Sequence, residues 1–220
     1  MIDPKKSVVI FSHPRSGSTW FQKSLPQFNL SELFLLRLQF NGETDRGIRA
    51  NYLKQRPVYN DVNAEMQYRF KLYTEYASTR PVSVKTHTFL SDDIILDFLK
   101  KQDAQFVLLN RRNKLDTFWS ALISWHTLNW HQEASTTPFT ANKLYFDSVV
   151  DWLKKSKDEC VMIRNTFDVQ EHYYEDFIHY PKSDWFNPAP VLVQNAKAVT
   201  PIVNREEVEK WLEEVDFSSL

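Results

Sequence analysis

Three short stretches hold most of the side chains that could do chemistry. The first is "HPRSGST", His13 to Thr19, which follows the apolar run Val8-Val9-Ile10-Phe11. Arg15 offers an anion a planar, permanently charged fork. Ser18 and Thr19 add hydroxyl donors, and Gly17 lets the backbone approach closely. A strand-to-helix turn gathers N–H groups that suit a phosphate. The same residues also suit an ordinary capped turn. The triphosphate loop G-x-x-x-x-G-K-[ST] is not met: no glycine stands five residues before Gly17, and Ser18 takes the place of the lysine. An ATP kinase or a GTPase is therefore disfavoured.

The second stretch is "VKTH", with Lys85 and His87. Histidine is suited to taking a proton at neutral pH, although one His at a strand end also reads as a surface or core residue. Glu32, in "LSELF", is a second candidate base and equally reads as an exposed helix residue. The third stretch is "RRNKLDTFWS". Asn113 with Asp116 three residues later resembles a capping pair that opens a helix. Basic residues in a first turn oppose the helix dipole unless an anion sits among them. Arg112 is the candidate anion ligand, and Arg111 can instead be exposed. The pairs His126/His131 and His172/His179 match no zinc spacing, so no metal is expected. Trp119, Trp125, His126 and Trp130 read either as core or as the lining of an acceptor pocket.

The elements that must position these residues follow from periodicity. Strands are expected at 8–11, 81–87, 104–110 and 160–165, each a short apolar run. Helices are expected at 18–25, 61–78, from Ser91, from Asn113 to about Trp125, over 139–156, and over 204–215 capped by Asn204 with Glu207. Residues 27–60 read as irregular, with helix at 31–39 as one option. Strands alternating with helices imply an α/β fold, three layers α/β/α around a central parallel sheet of about four or five strands. Ligands in such sheets bind at the carboxyl ends of strands, and all three stretches follow strands.

The totals set bounds. With 220 residues the default is a single domain, 1–220. The net charge of -1 gives no reason to expect a nucleic-acid partner. Cys160 is the only cysteine, which excludes an internal disulfide and a Cys-based zinc site. "MIDPKKSVVIF" is too short in apolar run for a signal peptide or an anchor, so the expectation is a soluble, cytoplasmic protein with no membrane span. Glycine occurs only three times, where average usage gives about fifteen, so Gly17 has a specific reason to be there.

"SHPRSGSTW" resembles the 5′-phosphosulfate loop of sulfotransferases that use 3′-phosphoadenosine 5′-phosphosulfate (PAPS), which reads roughly T-Y-P-K-S-G-T-T-W. Pro14, Ser16, Gly17, Thr19 and Trp20 match, and Arg15 stands where many members have Lys and some bacterial members Arg. Lys85, Thr86 and His87 match the family's K-T-H. Arg112, Asn113, Asp116 and Ser120 fit its R-N-x-x-D with Ser eight residues after the Arg. "YEDF", 174–177, resembles a Y-E-D-L segment that follows a strand in the family.

The resemblance implies a P-loop-like fold and transfer of a sulfuryl group from PAPS to an acceptor hydroxyl or amine. It implies that Arg15, Ser16, Gly17, Ser18 and Thr19 hold the 5′-phosphate and bridging oxygen. Trp20 would stack on adenine, its alternative being a core tryptophan. His87, or Glu32, would be the base. Lys85 and Arg15 would stabilise charge, and Arg112 with Ser120 would hold the 3′-phosphate. The family's R-K-G loop is missing, and Lys197 in "QNAKAV" is the candidate substitute. The alternatives are a P-loop-type kinase and a non-catalytic adenine-nucleotide-binding module. The kinase lacks its lysine and Mg²⁺ ligands, and the intact K-T-H argues against the module.

Overall fold

Ser7–Ser12 (β1) is buried along its whole length, as a strand covered on both faces must be. In the computed structural model it is the centre of a five-stranded parallel sheet. The other strands are Phe28–Asn29 (β2), Val82–His87 (β3), Ala104–Asn110 (β4) and Val169–Tyr173 (β5), and the spatial order is β2-β3-β1-β4-β5. The structure describes residues 1–13, 15–30, 62–87, 93–127, 138–188 and 202–217. The helices are Ser18–Lys23 (α1), Val62–Thr79 (α2), Asp93–Leu99 (α3), Lys114–Thr127 (α4), Lys143–Thr166 (α5), Tyr174–Phe177 (α6) and Arg205–Glu213 (α7). Ser91 and 31–39 lie outside the described residues.

The two faces of the sheet have separate cores, because successive side chains of a strand point to opposite sides. Val9, Phe11, Val84 and Leu108 meet Met66, Phe70 and Tyr73 of α2, Ile95 and Leu99 of α3, and Ile163 of α5. Val8, Ile10, Val107 and Leu109 meet Phe21 and Leu25, with Phe177, Trp185 and Phe186 behind them. A third cluster joins α4, α5 and α7 through Phe118, Trp119, Phe146, Val149, Leu153 and Val208. The layers are those of the expected α/β/α class.

The expected strand at 160–165 is instead the end of α5. Buried positions run Phe146, Val149, Val150, Leu153, Ser156, Cys160 and Ile163, a spacing of three and four that continues the helical stripe unbroken. No Gly or Pro interrupts it, and a short apolar run fits either element when periodicity is the only guide. Cys160, buried, donates from Sγ to Asn110 Oδ1 at 3.5 Å. The fifth strand is the polar "VQEHY", half-buried throughout because it is an edge paired on one side. Glu171 there accepts from Arg164 Nη2 at 2.6 Å and from Asn110 Nδ2 at 2.6 Å.

Two caps differ in kind. Asn113 Oδ1 accepts from the Asp116 N–H at 3.0 Å and opens α4, as its spacing predicts. Asn204 makes no side-chain cap to α7. Its amide is used on Ala141 instead, accepting from that N–H at 2.7 Å and donating to its carbonyl at 3.0 Å, which ties α7 to the start of α5. Nearby, His126 Nε2 accepts from the Asn142 N–H at 3.2 Å, and its ring stacks on Phe139 at 4.5 Å. Trp119 is core. Trp130 and His131 lie outside the described residues.

Candidate functional site

In a fully parallel sheet all carboxyl ends share one edge. Here Ser12 at the end of β1 pairs with His87 on one side and Leu109 on the other, and Asn110 pairs with Tyr173. The chain leaves β1 towards β3 and leaves β4 towards β5. Strand order therefore reverses between β1 and β4, the place where open α/β sheets bind ligands. The loop after β1 and the turn after β4 face each other across that crevice.

The loop is held in an unusual backbone shape. Arg15 has φ 68° and Gly17 φ 82°, both left-handed. A Cβ on Gly17 would sit 2.6 Å from Cε2 and 3.0 Å from Cγ of Tyr174, and closer still to Cδ2. Glycine is required for both reasons: its φ and the tyrosine ring against it. α1 has only six residues, so fixed side-chain charge more than a helix dipole sets the local field.

That charge comes from three strand ends. Arg15 Nε donates to Ser120 Oγ at 2.7 Å. Arg111 Nη1 donates to the Arg15 carbonyl at 3.3 Å, and its Nη2 to Asp116 Oδ2 at 3.2 Å. Burial holds the Arg15 guanidinium below its ordinary pKa, and the charge of Arg111 adds to that. Two cations crowded into one half-buried place favour an anion between them. Lys85, buried, donates from Nζ to Thr19 Oγ1 at 2.7 Å, which fastens β3 to the loop. Ser16 Oγ is buried and has no hydrogen-bond partner among the described residues. A cationic loop with an unanswered buried hydroxyl fits a multiply charged anion such as a phosphosulfate.

His87 stands beside this loop. Its Nδ1 lies 3.3 Å from the Ser12 carbonyl. With the proton on Nδ1 donated there, Nε2 carries the lone pair, the arrangement a base needs.

Arg112 behaves differently. Its guanidinium pairs bidentately with Asp176, with Nη2 2.9 Å from Oδ2, and lies 4.2 Å over the Tyr173 ring. That hydrogen bond raises Arg112 and lowers Asp176 from their ordinary pKa values. The side chain of Arg112 is 52% exposed, against 21% for Arg111. Of the options open for Arg111, exposure is not the one seen: its guanidinium turns towards the loop, where Asp116 and the Arg15 carbonyl accept from it. Glu175 accepts from the N–H groups of Arg112 and Asn113, both at 3.1 Å, at the start of α4.

The edge thus gathers Arg15, Ser16, Gly17, Ser18, Thr19, Lys85, His87 and Ser120. Trp20, on α1, is half-buried and makes edge contacts with Tyr174 at 5.6 Å and Phe186 at 5.7 Å. Ser120 meets Arg15 rather than Arg112. Pro14, Glu32 and Lys197 lie outside the described residues. Sequence reasoning missed the inward turn of Arg111 and the part played by Tyr174, Glu175 and Asp176. The available signal was "YEDF" itself, which follows β5 directly once the strand is placed at 169–173 rather than 160–165.

Among the described residues no group of three or more His, Cys, Asp or Glu could hold a metal ion, and no helix is long and apolar enough to cross a membrane. No family model matches the sequence, and no curated protein matches it. Solved structures similar to the chain include the sulfotransferase domain from the Synechococcus PCC 7002 olefin synthase. That domain is 16% identical over 80% of this chain and 69% of its own, with a TM-score of 0.42. Another is the sulfotransferase domain from the curacin biosynthetic pathway, 15% identical over 92% of this chain and 86% of its own, with a TM-score of 0.42.

Proposed function

We propose that this chain is a sulfotransferase that moves a sulfuryl group from PAPS to a hydroxyl or amine of an acceptor. The observation that carries the reading is the bond from Lys85 Nζ to Thr19 Oγ1 at 2.7 Å. It brings the K-T-H stretch onto the anion loop, although the two are 66 residues apart in sequence. A glycine turn alone would suit many β–α connections; a turn with a buried lysine and a strand-end histidine against it suits group transfer.

When bound, PAPS supplies an activated sulfuryl group whose leaving group is 3′-phosphoadenosine 5′-phosphate. His87 Nε2 takes the acceptor's proton while Nδ1 stays on the Ser12 carbonyl, so the ring is oriented before reaction. Arg15 and Lys85 face the oxygens where negative charge grows, and fixed cations there lower the barrier without reorganising. Ser16, Ser18 and Thr19 with Gly17 hold the 5′-phosphate end, and Trp20 supplies a flat surface for adenine. Glu32 remains the second candidate base.

Thermal shift with 3′-phosphoadenosine 5′-phosphate, ATP-Mg²⁺ and AMP tests the reading. At a hundredfold excess over Kd the bisphosphate adds about 2.7 kcal/mol, a rise in Tm of about 5–10 °C for a chain of this size. Stabilisation by ATP-Mg²⁺ alone would favour the kinase and overturn the reading. Binding of the bisphosphate with no transfer to a broad acceptor panel would favour the non-catalytic module.

A further inference from the structure

The geometry points to Arg111, with Ser120, as the residues that hold the nucleotide's second phosphate, with Arg112 withheld from it by Asp176. The inference rests on the sulfotransferase reading above and assigns within it a residue that the motif alone does not select.

Four observations carry it. First, Arg15 follows β1 and Arg111 follows β4, the two strands that flank the reversal of strand order, and Arg111 Nη1 touches the Arg15 carbonyl across that crevice. Second, the serine expected to share the second phosphate, Ser120, already accepts from Arg15 Nε at 2.7 Å. It belongs to the Arg15–Arg111 side. Third, Arg111 Nε is buried and makes no hydrogen bond among the described residues, and Glu175 Oε1 lies 3.9 Å from it. A buried donor without an acceptor is costly, and a phosphate oxygen would relieve that cost. Fourth, Arg112 is fixed on another heading by one segment: Asp176 takes its fork, Tyr173 lies under it, and Glu175 takes its N–H. To reach a phosphate in the crevice Arg112 would have to leave a bidentate carboxylate, whereas Arg111 is already turned inward.

The charges around the site agree. Facing Arg111 are Asp116, Glu175 and the cation Arg15, with Tyr174 below its guanidinium at 5.4 Å. Facing Arg112 are the two carboxylates Asp176 and Glu175. A dianion is better received by the first arginine than by the second.

The test is the ratio of affinities for 3′-phosphoadenosine 5′-phosphate and AMP, measured by calorimetry on the full chain. This ratio isolates the second phosphate and cancels general loss of the nucleotide pocket. The wild-type chain is expected to prefer the bisphosphate. Arg111→Gln should cut that preference at least tenfold, and Arg111→Lys, which keeps charge but not the fork, should give an intermediate value. Arg112→Gln and Asp176→Asn should each change it less than about twofold, within the spread of such measurements. A tenfold loss in Arg112→Gln with little change in Arg111→Gln overturns the inference while the sulfotransferase reading stands. So does a gain in Asp176→Asn, which would mean that Asp176 competes with the phosphate for Arg112. A wild-type ratio near one overturns the reading and this inference together.

Discussion

Replacing Gly17 with alanine tests the loop through one atom. The position has φ 82° and its missing Cβ points into the Tyr174 ring. The left-handed backbone costs a non-glycine residue about 1–2 kcal/mol. Forcing a methyl into occupied space costs about 1–3 kcal/mol more. Gly17→Ala should therefore lose about 2–5 kcal/mol, a large part of the roughly 5–15 kcal/mol that stabilises an ordinary domain. Urea unfolding would read the loss as a lowered midpoint at constant slope. The two causes separate in a double-mutant cycle with Tyr174→Ala. Without the ring only the backbone cost remains, so Gly17→Ala should then lose about 1–2 kcal/mol, leaving a coupling of about 1–3 kcal/mol. Equal losses in both backgrounds would refute the argument that Tyr174 makes glycine necessary.

Other outcomes follow from the same structure. His87→Asn should lower sulfuryl transfer by about 10²–10⁴-fold in kcat while bisphosphate affinity holds; full activity there with loss in Glu32→Gln would make Glu32 the base. Ile163→Ala, in the core under α5, should cost about 2–5 kcal/mol, whereas Val161→Lys, 46% exposed, should stay within about 0.5 kcal/mol. If the two were equally costly, 160–165 would not be helix. Burial holds His126 and His172 below the ordinary histidine pKa, the N-terminal charge also lowering His172. The folded chain therefore binds fewer protons than the unfolded one. Stability from these groups is complete above about pH 6.5 and is lost as pH falls below it. Unfolding in urea at about pH 7.5 and about pH 5.5 should show this, and His126→Gln should flatten the slope.

Much of the architecture is legible in the sequence because β1, β3 and β4 are apolar, short and bounded by helical stripes. β5 is not, for a physical reason: an edge strand half in solvent is polar, so "VQEHY" gives no apolar run. The apolar "CVMIRN" nearby took its place, although its buried residues keep a helical step. The loop's glycine and the serine of the third stretch were visible as motif positions. Which of two adjacent arginines turns inward was not, because that depends on Asp116, Glu175 and Asp176 gathering around the turn. Asp116 was near in sequence, but the other two arrive from more than 60 residues away.

The sheet has no hairpin, since every pairing is parallel. Ser12 and His87 are 75 residues apart, Asn110 and Glu171 61, and Arg15 and Ser120 105. Contacts that distant close slowly, because loop entropy is lost before any contact repays it. On a ribosome adding about 5–20 residues per second, β1 emerges first and waits roughly 5–20 seconds for β4. Until β3 emerges "SVVIFS" is an apolar strand with both edges open, and one edge stays open until β4 follows.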